Sequence, residues 1–144
     1  MDAYLEMKSY PDVIPALKSM KESGIRLAFL TNLSPSMLQA NIKSAGLDGI
    51  FEQALSTDQL KTYKPSPAAY QLAMDKLGLK RDEIVFAAFA GWDATGAKWF
   101  GYNTFWVNRS NAPPEEFGVA PDGTGKDLND LVTYVKGLSL PFHQ

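Results

Sequence analysis

The feature that most constrains the fold of this chain is a regular alternation of short apolar runs with longer segments of helical periodicity. Two of the helical segments open with Ser-Pro and end at a glycine, which is typical of helix termini. Strands that alternate with helices form a parallel sheet covered by helices on both faces, with right-handed crossovers. The predicted strands are 25–31, 51–56, 84–90 and 104–108, and the predicted helices are 10–24, 34–46, 66–78, 93–101 and about 127–136.

Composition limits the classes of protein that fit. A chain of 144 residues with 45% apolar residues can bury one core, so we expect a single domain over residues 1–144. The net charge of −2, with both signs interspersed, argues against nucleic acid as a partner. No apolar run reaches 18 residues, so we expect no membrane span. The sequence has no cysteine and no signal-peptide pattern, and we therefore expect a cytoplasmic protein.

In a parallel α/β sheet, ligands bind beyond the carboxyl ends of the strands. Thr31 and Asn32 lie at such an end, directly before a helix whose amino terminus would attract an anion. The alternative is purely structural, with Thr31 closing the strand and Asn32 forming an Asx turn. The sequence leaves both interpretations open, and the same edge includes residues 57–64, 90–93 and 108–109.

Three further residues at this edge are candidates for the site or for packing. Lys64 is a loop lysine that could pair with a carboxylate, or simply be solvated. Asp93 is most simply the N-cap of the helix that begins beside it, and it could also orient Lys64. Trp92 is interpreted first as a packing residue. No group of histidines and carboxylates has metal-ligand spacing, so we expect no metal and no other cofactor.

Together these stretches resemble the haloacid dehalogenase superfamily, most closely its 2-haloacid dehalogenase branch. "LAFLTNLSP" is similar to the second motif, a Ser or Thr that closes a strand, and "YKPSPAAY" matches the K-P-x-P-x-x-Y of the third motif. "AFAGWDATGAKWFGYNTFWVNR" matches the fourth motif from Trp92 to Arg109. The resemblance covers about residues 4–137 and implies a three-layer, Rossmann-like sheet with helices on both faces.

The resemblance also implies a reaction and a set of site residues. The family reaction removes halide from a 2-haloalkanoic acid: an aspartate displaces the halide to form an ester, which water then cleaves. The implied catalytic residues are Lys64, Thr31, Asn32 and Asp93. The implied substrate-binding residues are Thr31, Asn32, Tyr70 and Trp92, and the implied partner is a small-molecule carboxylic acid.

The sequence departs from the family pattern in two places. The branch's Ser-Ser-Asn before the tryptophan is Ala88-Phe89-Ala90 here, which removes polar groups and also the acid with which superfamily phosphatases bind magnesium. No aspartate ends an apolar strand as D-x-[DT], the first motif, so we expect a truncated core without the nucleophile strand or the cap domain. In the family this strand lies between those that correspond to 25–31 and 84–90, so its absence would leave a gap in the sheet. The two strands would then pair with each other, or another chain would fill the gap and form a homo-oligomer.

These departures leave two functions open. The chain is either a 2-haloacid dehalogenase-like hydrolase domain that is inactive alone, or a non-catalytic anion-binding or scaffold domain derived from the same fold.

Overall fold

The structure, a computed structural model, describes residues 11–113 and 119–139. Residues 1–10, 114–118 and 140–144, which the predicted domain of residues 1–144 includes, lie outside the described residues. The chain divides into two compact units, Met1–Gly78 and Leu79–Gln144. The single-domain interpretation stays a prediction.

From residue 11 onward, the first unit contains three helices and one pair of parallel strands. Its elements are α1 (Val13–Glu22), β1 (Ala28–Thr31), α2 (Pro35–Ser44), β2 (Gln53–Ser56), a 3-10 turn (Thr57–Leu60) and α3 (Pro67–Leu77). Ser34 is the N-cap of α2 and accepts a hydrogen bond from the Met37 N–H at 3.4 Å, with Pro35 at the first helical position. Gly78 ends α3 in the left-handed conformation that favours glycine.

The core of the first unit follows the helical periodicity of the sequence. On α1 the buried residues are Val13, Ala16, Leu17 and Met20, which occupy one helical face. Leu30 of β1 packs against a buried cluster of Leu55, Leu72 and Ala73. β1 and β2 pair in parallel with Thr31 opposite Ser56, so the two carboxyl ends lie side by side.

Over residues 79–113 and 119–139, the second unit contains two helices and three parallel strands. Its elements are a 3-10 turn (Arg81–Glu83), β3 (Val85–Ala88), α4 (Gly91–Phe100), β4 (Asn103–Val107), β5 (Gly123–Gly125) and α5 (Leu128–Ser139), with strand order β3-β4-β5. The buried face of α4 carries Ala94 and Ala97, which are small enough to let the helix lie close to its neighbours. The Phe86 and Tyr102 rings stack at 5.6 Å.

The predicted α/β class is confirmed, because the strand pairs among the described residues are all parallel and a helix follows each of β1, β2 and β3 along the chain. All four predicted strands and all five predicted helices are present, with bounds shifted by a few residues. β5 was missed, because its Gly-Thr-Gly sequence is typical of a loop. A Cβ on Gly123 would lie 2.8 Å from the rings of Phe105 and Tyr134, so close packing explains the glycine there.

Two strand edges bear on the predicted gap in the sheet. Among residues 11–113 and 119–139, β1 pairs with one strand, β2, and β3 pairs with one strand, β4. Whether β1 pairs with β3 or another chain fills the gap stays a prediction. In the part of the chain that the structure describes, no helix is both long enough and apolar enough to cross a membrane.

Candidate functional site

Thr31 is the buried residue that closes β1, with 3% of its surface exposed. Its hydroxyl oxygen accepts a hydrogen bond from the Leu33 N–H at 3.1 Å. The carbonyl of Leu33 in turn accepts from the Ser56 hydroxyl at 2.5 Å. These two bonds tie the turn after β1 to the end of β2. Thr31 is the last residue of β1, and its role in binding an anion stays a prediction.

Asn32 does not form the local Asx turn that was considered. Its side chain makes contacts far along the chain instead. Oδ1 accepts from the Thr57 hydroxyl at 2.8 Å and from the Lys64 backbone N–H at 2.9 Å. Nδ2 donates to the Lys64 carbonyl oxygen at 3.4 Å. Asn32 therefore bonds both backbone polar groups of Lys64 and fixes the position of the Lys64 backbone in the loop.

The loop around Lys64 carries a second polar contact. The Tyr63 hydroxyl donates to Asp58 Oδ1 at 2.5 Å, and Lys61 Nζ lies 3.7 Å from the same oxygen. The hydrogen bond to Asp58 raises the pKa of Tyr63 above its ordinary value. Tyr63 and Lys61 are exposed, whereas Lys64 is half-buried. Lys64 is thus the more enclosed of the two lysines in this loop.

Tyr70, the remaining predicted residue of the first unit, lies on α3 and is fully buried. Its burial suits a packing role, and its proposed contact with substrate stays a prediction. Thr57 was not among the predicted site residues, although the stretch 57–64 was predicted to lie at the carboxyl ends of the strands. Thr57 is fully buried and hydrogen-bonded to Asn32. The available signal was its place directly after β2, where a polar residue needs a partner.

Asp93 and Trp92 belong to the second unit, on the first turn of α4. The prediction that Asp93 is the N-cap is wrong: the helix begins at Gly91, two residues earlier than predicted, and Ala90 is the N-cap. Asp93 is buried inside the first turn, still at the positive end of the helix dipole. Trp92 is 47% exposed, so it is only partly a packing residue.

The end of β4 in this unit is held by backbone and side-chain bonds. The Asn108 N–H donates to the Gly125 carbonyl at 2.7 Å, which continues the pairing of β4 with β5. The Asn108 side chain bonds both the N–H and the carbonyl of Ala112 at 2.9 Å. Within the described residues, no group of three or more histidines, cysteines and carboxylates could hold a metal ion.

Comparison with known proteins gives consistent results. The family model for haloacid dehalogenase-like hydrolases matches residues 2–101. An (S)-2-haloacid dehalogenase from Pseudomonas sp. (strain YL) is 42% identical over 131 residues, covering 91% of this chain and 56% of that protein. (S)-2-haloacid dehalogenase 4A from Burkholderia cepacia is 44% identical over 115 residues, covering 80% of this chain and 50% of that protein. The chain thus spans about half the length of these relatives.

Solved structures agree with the sequence comparison. The L-2-haloacid dehalogenase from Xanthobacter autotrophicus, solved with chloropropionic acid covalently bound, is 31% identical with a TM-score of 0.82. That match covers 90% of this chain and 61% of that one. A further L-2-haloacid dehalogenase structure is 43% identical with a TM-score of 0.86, covering 88% of this chain and 56% of that one.

Proposed function

Because the chain belongs to the haloacid dehalogenase-like hydrolases, within their 2-haloacid dehalogenase branch, we propose that it carries the substrate-anion site of a hydrolase that removes halide from 2-haloalkanoic acids. The single observation that carries this proposal is the pair of bonds from Asn32 to the backbone of Lys64. Through them, a lysine is held beside the carboxyl end of β1, where α/β sheets bind ligands.

The proposed roles follow from the chemistry of each group. The Lys64 ammonium neutralises the carboxylate of the acid as a compact point charge. Asn32 donates an N–H to the same anion or to the departing halide. A catalytic role for Asp93 and substrate contacts by Trp92 and Tyr70 are proposed from the resemblance alone. The covalent chloropropionic acid in the Xanthobacter relative supports the substrate class, since that protein forms a bond to a 2-haloacid.

The reaction also needs a carboxylate nucleophile. An aspartate oxygen attacks the carbon that carries the halogen, the halide leaves with the bonding electron pair, and water then hydrolyses the ester. Among the described strands, none ends in an aspartate or is directly followed by one. We therefore expect the 144-residue chain alone to release no halide, because loss of a covalent nucleophile costs several orders of magnitude in rate.

A non-catalytic anion-binding domain is the second candidate. Ala88-Phe89-Ala90 favours it, because these residues offer no side-chain polar group where the branch has three. In this case the anion site would serve binding alone. For either candidate we also propose a cytoplasmic location and self-association through β1 and β3, which each pair with one strand among the described residues.

The test is binding and turnover by the purified chain. We expect 2-chloropropionate to shift the backbone amide signals around Thr31 and Lys64, and Lys64→Ala to abolish these shifts. The matched control is Lys61→Ala, which removes the same charge from the same loop at a side chain that is 78% exposed. Shifts confined to other regions, or equal losses in both variants, would overturn the anion site.

Turnover separates the two candidates. A chloride-release assay on 2-chloropropionate should give no signal above the blank for this chain alone. Release that Lys64→Ala abolishes would refute the expected inactivity, and would mean that an aspartate within these 144 residues is the nucleophile. Restoration of release by a co-expressed segment carrying a D-x-[DT] strand and the cap residues would favour the hydrolase over the binding domain.

A further inference from the structure

Thr57 is a fully buried polar residue with one described side-chain partner. It follows β2 directly and begins the 3-10 turn Thr57–Leu60. Its hydroxyl hydrogen is donated to Asn32 Oδ1 at 2.8 Å. A buried hydroxyl that bonds one specific amide, 25 residues away in sequence, restricts that amide to one position.

The orientation of the Asn32 amide is determined by the other partner. A backbone N–H can only donate, so the Lys64 N–H at 2.9 Å requires an oxygen opposite it. Oδ1 therefore faces Lys64, and Nδ2 faces the Lys64 carbonyl at 3.4 Å. With the Thr57 bond added, both lone pairs of Oδ1 are occupied.

The Asn32 amide is left with the capacity to donate one more hydrogen bond. Nδ2 carries two hydrogens, and one of them points to the Lys64 carbonyl. Its second hydrogen has no partner among the residues that the structure describes, and Asn32 is only half-buried. Asn32 can therefore still donate, but it can no longer accept.

We propose that Thr57 is a positioning residue that makes Asn32 a donor-only group, so that the site prefers hydrogen-bond acceptors such as a carboxylate or a halide over ligands that carry N–H donors. This inference rests on the proposed function, because it concerns the selectivity of the same anion site. Thr57 acts through Asn32 and does not itself contact the ligand. Without its hydroxyl, Oδ1 keeps only the bond from the Lys64 N–H, so the amide is held less firmly with Nδ2 directed to the ligand.

The experiment compares two ligands of equal carbon skeleton in three forms of the full chain. Sodium propionate offers only acceptors, whereas propionamide adds an N–H₂ donor. Binding is followed by ¹H–¹⁵N NMR of the Asn32 side-chain amide. Thr57→Val removes the hydroxyl with little change in shape, and Thr57→Ser keeps it.

We expect Thr57→Val to weaken propionate binding by about three- to tenfold, the range of one lost neutral hydrogen bond. We also expect the preference of Thr57→Val for propionate over propionamide to fall. The propionate affinity of Thr57→Ser should stay within about twofold of that of the parent chain. A merely structural role for Thr57 would weaken both ligands alike and leave the preference unchanged, which would overturn the proposal.

The parent chain alone provides an independent measurement if Thr57→Val folds poorly. Propionate should shift one of the two Asn32 side-chain hydrogens, the one directed away from the Lys64 carbonyl, more than the other. Equal or absent shifts in a chain that binds propionate would overturn the role of Asn32 as a directed donor. No propionate binding at all by the parent chain would instead overturn the proposed function itself.

Discussion

The substitution Asn32→Ala tests the bonds that hold the candidate site together. It removes all three hydrogen bonds of the side chain, two at Oδ1 and one at Nδ2. The Thr57 hydroxyl is fully buried, so water cannot replace its lost acceptor, and an unsatisfied buried donor costs about 1–3 kcal/mol. The Lys64 N–H loses its acceptor as well, which adds to this cost. We therefore expect a loss of about 2–3 kcal/mol in the free energy of unfolding.

The measurement has to report on the first unit. All three tryptophans, at 92, 99 and 106, lie in the second unit, so tryptophan fluorescence would miss the change. Urea unfolding followed by far-ultraviolet circular dichroism gives the overall loss. Amide hydrogen exchange at Lys64 gives the local one, because this N–H loses its acceptor in the variant. Its exchange rate should rise well above that of the α1 amides in the same sample.

A double-mutant cycle identifies the cause of the loss. If the buried Thr57 hydroxyl is responsible, then Asn32→Ala combined with Thr57→Val should be more stable than Asn32→Ala alone, since no donor is left unsatisfied. The sum of the stability losses of the two single variants should then exceed the loss of the double variant by about 1 kcal/mol or more. Losses that simply add, or a Lys64 exchange rate equal to that of the parent chain, would refute the reasoning.

Three further predictions concern the second unit and the strand edges. Burial opposes ionisation of Asp122, but hydrogen bonds from Lys98 at 2.8 Å and from the Thr104 N–H at 2.8 Å hold its pKa below the ordinary value. This stabilisation is present above the unfolded pKa of about 3.9 and is lost as pH falls through the folded pKa, so thermal unfolding from pH 7 to 2 should show an acid loss that Asp122→Asn reduces; an unchanged slope would contradict it. Gly125→Ala should cost about 1–3 kcal/mol, because its Cβ would lie 2.4 Å from the Asp130 Cβ; a neutral melting temperature would contradict this. β1 and β3 each pair with one strand among the described residues, and we expect their second edges to promote self-association that sedimentation detects across a concentration series; a monomer at every concentration would count against it.

The roles of the predicted site residues stay predictions, and the structure shows the contacts that some of them make. The alternation of strands and helices predicts that the end of β1 and the Lys64 loop lie at one edge of the sheet. In the structure Asn32 is hydrogen-bonded to the backbone of Lys64, whereas the Thr31 hydroxyl is bonded to the Leu33 N–H. The partners of Asn32 were not predictable from local pattern, because they lie 25 and 32 residues away. Thr57 was overlooked for the same reason: its place directly after β2 indicates that its hydroxyl needs a partner, but that partner lies 25 residues away.

The sequence by itself determined the order and type of the elements, because apolar periodicity, Ser-Pro openings and glycine stops act within a few residues of one another. It also determined the family, since the motifs at Thr31, Lys64 and Trp92 keep their spacing. Tertiary structure alone decided that Gly123–Gly125 forms a strand, because backbone pairing with β4 outweighs the low strand propensity of glycine. Tertiary structure also decided that Asn32 bonds across the chain instead of within its own turn. A side-chain amide takes the nearest unsatisfied donors, and folding determines which these are.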